Sequence, residues 1–338
     1  MTPSQFSTLG LPARDQFAAW CGWFEPVFGL MPPAGGPDAG FAGEIRVWSL
    51  GKAALGRVRA PRLHAVRGAH NLRRDPMDHW NIAIGGRDTR LTRRDATVIV
   101  PAGTPFIVSL GEPCSSDREA DDRLQLYLPR DHFASLAPVL DRLRGVPLHG
   151  PSGRLLADYL RLVERSLPNL MAEDLPRLAD AITAMVSACA APQNAAPDIA
   201  QEQMDVTRLE RVRHVIRRRL HSATLTAAAL CRETGMSRSQ LYRLLEGEGG
   251  VVRYIQRLRL QASYAALSDP CEDRSVAAIG EACGFYDPST FSRAFRREFG
   301  ITPSDLRIAC RSGAPVAGIG GAVLPAETRT LTSCLRRM

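Results

Sequence analysis

Lysine is almost missing from this sequence: Lys52 stands alone against 42 arginines in 338 residues. Such a bias suits a GC-rich genome, so the choice of arginine over lysine says little by itself. Long apolar runs are missing too. No window approaches the roughly 18 or more apolar residues of a membrane span. The apolar stretch from Phe17 to Met31 has Asp15 before it, Glu25 inside it and no basic leader. The eight cysteines, at positions 21, 114, 189, 231, 271, 283, 310 and 334, form no C-x-x-C pair and no Cys/His cluster with zinc spacing. That is reduced usage, in which Cys231 and Cys283 read as small residues of packed helices. No Ser/His/Asp or Cys/His set has the local context of a nucleophile. These absences predict a cytoplasmic protein that is not an enzyme, with no membrane association, metal or cofactor.

Charge is present, but in one place. Residues 1–204 carry 22 basic and 22 acidic side chains, residues 205–308 carry 17 and 12, and residues 309–338 carry 4 and 1. The whole excess of +8 therefore lies toward the C-terminus, as a polyanionic partner would require. Within that region a single pattern occurs twice, as LTAAALCRETGMSRSQLYRLLEGEGG from Leu225 to Gly250 and SVAAIGEACGFYDPSTFSRAFRREFG from Ser275 to Gly300. With Gly235 over Gly284, Leu230 falls on Ile279 at an offset of 49, and past the turn Arg243 falls on Arg293 at an offset of 50. The second turn is one residue longer.

Each copy reads as an apolar helix, a glycine turn and a second helix. Glycine can adopt the left-handed conformation that ends a helix, and Ser237 and Asp287 can cap the helix that follows. Leu241, Leu244 and Leu245, like Phe291 and Phe295, have the spacing that holds each second helix on its partner. The opposite face carries Arg238, Ser239, Gln240 and Arg243 in one copy, and Ser289, Thr290, Arg293 and Arg296 in the other. Those types reach base edges and phosphates from a helix in the major groove. With the two caps, they are the expected DNA-binding residues.

The double unit resembles the DNA-binding domain of the AraC/XylS family of bacterial transcription regulators. The resemblance rests on the linker helix YIQRLRLQASYAAL (Tyr254 to Leu267), the turn GFYDPSTFSRAFRREFG (Gly284 to Gly300) and the closing TPSDLR (Thr302 to Arg307). It covers about the last third of the chain. Cys231 and Gly280 depart from the pattern, standing where alanine is usual, and Gly280 costs roughly 1 kcal/mol of helix propensity. Glu246 stands where a basic residue is frequent, which removes one phosphate contact, and Leu306 stands where tyrosine is common. The resemblance implies a transcriptional activator that binds double-stranded promoter or operator DNA, works with RNA polymerase and answers to a small-molecule effector.

The N-terminal half changes character. From about Phe41 to Leu128, EIRVWSL, HWNIAIGG, DATVIVP, PFIVSL and RLQLYLP are short β-rich segments between Gly, Pro and Asp turns, the pattern of an antiparallel barrel or sandwich. RRDATVIVPAGTPFIV and the following YLPRDHF resemble the cupin-like sensory domains that precede this DNA-binding domain in the family. Metal-binding cupins start from an H-x-H pair. Here His64, His70 and His79 are six and nine apart. The barrel mouth is instead expected to hold a small organic ligand, with His79, Trp80 and Asn81 as candidate lining residues, although plain core is the favoured reading of Trp80.

After Pro129 the apolar spacing is helical to about residue 190. Leu155, Leu162 and Val163 serve either as internal core or, as relatives imply, as a homodimer contact. The fold class is thus α+β and multidomain. Residues 1–190 form the sensing and dimerisation domain (barrel about 41–128, helices about 130–190). Residues 191–204 form a linker, 205–308 the all-α double helix-turn-helix domain, and 309–338 a disordered tail. Two other functions remain open: a cupin-type enzyme with a DNA-binding appendage, and a constitutive DNA-binding regulator whose N-terminal domain only dimerises.

Overall fold

Period-two alternation in the first 128 residues builds two facing antiparallel sheets. The structure, a computed structural model, describes residues 1–31, 40–75, 77–93, 96–190, 208–209, 211–222, 224–269, 272–312 and 330–336. One sheet runs in the order β1 (Ser4–Ser7), β3 (Glu44–Ser49), β4 (Ala54–Ala60), β11 (Asp121–Leu128), β6 (Trp80–Ile84) and β9 (Pro105–Ser109). The other runs β2 (Gly29–Met31), β5 (Leu63–Arg67), β10 (Cys114–Arg118), β7 (Thr89–Arg93) and β8 (Ala96–Val100). The long strand β11 anchors the first sheet, Leu124 to Leu128 lying opposite Ile84 to Trp80.

Apolar residues on the two sides of this sandwich form separate cores. The helix Ala13–Phe24 buries Phe17, Trp20, Trp23 and Phe24, which pack with Phe41, Ile45 and Val58. Gly43 lies so close that a Cβ there would meet the Trp20 ring at 2.7 Å. On the other side, helices Gly150–Ser166 and Leu175–Ala190 lay Leu156, Leu160, Ile182 and Val186 against Trp80, Ile82 and Leu126. A buried ion pair ties the segment that follows β11 to the barrel, with Asp141 at the end of the short helix Ala137–Leu140. Arg130 donates to both oxygens of Asp141, at 2.8 and 2.5 Å, and the indole Nε1 of Trp80 donates to the same carboxylate at 2.8 Å. With every group partnered, this cluster escapes the cost of an unanswered buried charge.

The chain divides into two units, Met1–Ala195 with Gly321–Met338, and Ala196–Gly320. The expected linker, 191–204, lies outside the described residues. The expected disordered tail differs from the structure at both ends. A helix Pro303–Ser312 carries the fold past residue 308, and a second helix, Leu331–Leu335, packs in the first unit. Leu331, Cys334 and Leu335 join the core of Phe17 and Trp20, while Thr332 Oγ1 donates to the buried Asp75 at 3.3 Å. Periodicity missed this helix because five residues are too few to show a repeat.

Of the three residues considered for homodimer contact, Val163 is internal core. Leu155 and Leu162 are 55% and 54% exposed on the outer face of their helix.

Candidate nucleic-acid interface and ligand cavity

The second unit begins with a helix through residues 211–218 that buries Val212, Val215 and Ile216. The first helix-turn-helix follows. Thr226 caps the helix Ala227–Thr234, and Gly235 ends it at φ +68°. Ser237 then starts the helix Arg238–Leu244 with a reciprocal capping box: its Oγ accepts from Gln240 N at 3.3 Å, and Gln240 Oε1 accepts from Ser237 N at 3.0 Å. In the second helix-turn-helix Ser275 caps the helix Val276–Ala282, and Gly284 turns at φ +81°. Asp287 accepts from the amides of Ser289 and Thr290, at 3.1 and 3.0 Å, to start the helix Pro288–Phe299. These bonds hold the Asp287 carboxyl below the usual aspartate range, the Thr290 hydroxyl contributing most.

Packing fixes which face each reading helix shows. Leu241 and Leu245 point into one core, Phe291, Ala294 and Phe295 into another. That leaves Arg238, Ser239 and Arg243 exposed on the first helix, with Gln240 half-buried, and Ser289, Thr290, Arg293 and Arg296 exposed on the second. The departure at Gly280 has a packing reason, since a Cβ there would meet the Phe291 ring at 2.9 Å.

Between the two helix-turn-helices, the helix Val251–Leu267 carries a cross-brace. Arg259 donates to the carbonyls of Leu220 at 2.9 Å, Ser222 at 2.8 Å and Gly284 at 3.4 Å. His221 Nδ1 lies 2.7 Å from the carbonyl of Ala282. One guanidinium thus binds the approach to the first helix-turn-helix and the turn of the second.

Charge neutralisation divides the arginines. Glu248 takes Arg213 and Arg257, Glu233 takes Arg218 and Arg219, and Glu272 takes Arg274. Despite burial, the two arginines hold Glu248 below the ordinary glutamate range. Arg238, Arg293 and Arg296 have no carboxylate within ion-pair distance among the described residues, so their charge faces outward unneutralised. Two residues that the sequence pattern did not single out share this surface: Tyr286, exposed just before the Asp287 cap, and Tyr242, with the Arg238 guanidinium 6.0 Å from its ring centre. Aromatic type alone does not tell such residues from core; their exposure in the fold does.

The first unit holds a cavity between its two sheets, with about 570 Å³ of atom-free space, some of it open to solvent. Phe24, Phe28, Leu63, Leu91, Phe106 and Val108 give it apolar walls, and Asn81, Ser116, Arg118, Arg123 and Gln125 give it polar groups. Of the three residues expected to line it, Asn81 does. Trp80 does not: its side chain is fully buried on the opposite face, in the Arg130–Asp141 cluster. His79 does not either. Its ring lies beside the Leu335 backbone with neither nitrogen hydrogen-bonded, and burial holds it below the ordinary histidine range. Among the described residues no His/Cys/Asp/Glu cluster has metal-binding geometry, and no helix is long and apolar enough to cross a membrane.

A helix-turn-helix domain family matches residues 230–309. The transcriptional activator NphR of Rhodococcus sp. is 38% identical over 100 residues, 29% of this chain and 29% of that one. The HTH-type transcriptional activator RhaS of Escherichia coli O139:H28 is 38% identical over 81 residues, 23% of this chain and 28% of that one. Each match thus spans less than a third of the relative's length. Far broader is the likeness to the crystal structure of the AraC-like transcriptional activator CuxR. It is 30% identical, covers 78% of this chain and 96% of that one, and superimposes with a TM-score of 0.56.

Proposed function

Since the chain belongs to the AraC/XylS family of transcription regulators, we propose that it is a sequence-specific DNA-binding activator governed by a small organic effector. The observation that carries the reading is the pair of capped helices that turn the unneutralised Arg238, Arg293 and Arg296 outward, with Arg259 bonding the approach to the first helix-turn-helix and the turn of the second. Phosphate contacts supply affinity, and the side chains at the N-terminal ends of the two helices read bases. Arg293 is suited to take guanine or phosphate, with Ser289 and Thr290 beside it. In the first helix Arg238, Ser239, Gln240 and Arg243 do the same work, against the repulsion of the exposed Glu246 beyond its end.

The sensing half of the proposal rests on the cavity, whose mostly apolar walls and few polar groups suit a small molecule. An effector held between the sheets alters how well the promoter complex, with RNA polymerase, is populated. Pairing of two copies through the exposed Leu155 and Leu162 is the corresponding proposal for assembly, and the cytoplasm for the place of work.

Selection of duplexes from a random pool by the full chain tests the DNA half. The expected consensus has two short blocks about one helical turn apart. Binding that tracks salt alone, with no consensus, would contradict it.

A further inference from the structure

The cavity contains a charge that the protein does not answer. Alternation along β10 turns Cys114, Ser116 and Arg118 inward and Asp117 outward. Arg118 is 9% exposed, and among the described residues its guanidinium makes no ion pair or hydrogen bond. The other cavity guanidinium, Arg123, is fully served: it donates to Asp121 Oδ2 at 3.2 and 3.1 Å and to the Thr89 hydroxyl. Asp121 has nothing left over, since its Oδ1 accepts from the amides of Gly86 and Arg87 at 2.7 and 3.1 Å. Two cations therefore share one anion inside the cavity, and the outward-facing Asp117, which also meets Arg62, acts on Arg118 without an ion pair.

Burial, aided by the nearby Arg123, pushes Arg118 down to about 9, which still leaves it charged at neutral pH. Leaving such a group unpaired in an apolar site is strongly unfavourable. A second orphan faces the same space: Asn81 is 2% exposed and its Oδ1 has no hydrogen-bond partner.

We propose that the cavity takes a small monocarboxylic acid with an apolar body, its carboxylate seated on Arg118 and its body against Phe24, Phe28 and Phe106. One negative charge balances the interior, and a planar carboxylate matches the guanidinium fork with two parallel hydrogen bonds. Asn81 and Ser116 offer further hydrogen bonds to the headgroup. A phosphate dianion would over-compensate the charge and would meet too few donors on walls that are mostly apolar. The proposal rests on the reading of this unit as the sensor, and it names the chemistry of what is sensed.

The test measures melting temperature and calorimetric affinity of the full chain with benzoate, phenylacetate, hexanoate and octanoate, each against its primary amide. At least one acid should stabilise the chain where its amide does not. Arg118→Met should weaken that acid by about tenfold or more, and should melt no lower than the parent when ligand-free, because it removes an unpaired buried charge. Ala65→Leu, which fills the cavity and keeps Arg118, should also abolish the response, so the test does not hang on one variant's folding. Acids and amides binding alike, acid binding that survives in Arg118→Met, or no response to any acid would each overturn the carboxylate proposal. Amide binding would leave sensing of an uncharged effector intact. An acid that binds as expected but never changes DNA affinity would uphold the ligand class and defeat the sensor reading.

Discussion

Arg293 and Arg213 are the same residue type with opposite fates, and the difference is a neighbouring carboxylate. Arg213 is held by Glu248 at 3.1 Å; among the described residues Arg293 makes no ion pair, lies 3.5 Å from the Thr290 hydroxyl and faces outward. Arg293→Ala should therefore weaken operator binding by roughly 1–3 kcal/mol at fixed salt in a gel shift, and leave the melting temperature nearly unchanged. The two turn glycines should behave differently from each other. At Gly235 an added Cβ meets nothing within 4 Å, whereas at Gly284 it lands 2.7 Å from the Arg259 guanidinium carbon. Gly235→Ala should cost about 1 kcal/mol for the left-handed backbone alone. Gly284→Ala should cost more, because Arg259 must give up carbonyl partners as well. Thermal melts of the two variants decide between these outcomes. The Asp287 cap predicts a pH dependence. Its carboxyl is depressed in the folded chain, so its contribution is complete above the ordinary aspartate range and is lost as pH falls through the lower folded value. Asp287→Asn should flatten that acid limb, because near neutrality it loses the stability the ionised carboxylate supplies, while at low pH it melts close to the parent.

At the level of elements, Arg259 is the residue whose loss should separate folding from function. Arg259→Met keeps the buried stem of the linker helix but removes the bonds to Leu220, Ser222 and Gly284. DNA affinity should fall although no reading residue has changed, and each helix-turn-helix should remain helical by circular dichroism. The helix Leu331–Leu335 makes a second claim on stability: Leu335→Ala should cost about 2–4 kcal/mol, seen as an earlier melt of the unit that contains the barrel. The reading helices and the linker helix were legible in the sequence because caps, glycines and apolar spacing all agreed there. Strands β3, β6, β8, β9 and β11 were legible for the same reason. Strands β4, β5 and β10 were not, and β10, CSSDR, shows why: its inward residues line a cavity instead of a core, so the apolar alternation that marks a strand is absent. The ligand site suffered from a related error. His79, Trp80 and Asn81 are consecutive, and adjacent residues on a strand face opposite ways, so Trp80 and Asn81 could not both line one cavity once β6 had formed.

For the whole molecule, the central claim is that one chain reads two major grooves on one face of a duplex. The linker helix Val251–Leu267 has 17 residues, a rod of roughly 25 Å at about 1.5 Å per residue. Successive major grooves on one face lie about 34 Å apart, a span the two reading helices can complete because they project beyond the ends of the rod. Two helix-turn-helices so joined should protect two segments about one helical turn apart, within a footprint on the order of 15–20 base pairs. Hydroxyl-radical footprinting of residues 196–320, the whole second unit, on a selected operator measures this directly. Two protected segments on the same face of the DNA are the expected result. A single protected groove would contradict the account, and the exposed Glu246 after Arg238–Leu244 names the first helix-turn-helix as the one left idle.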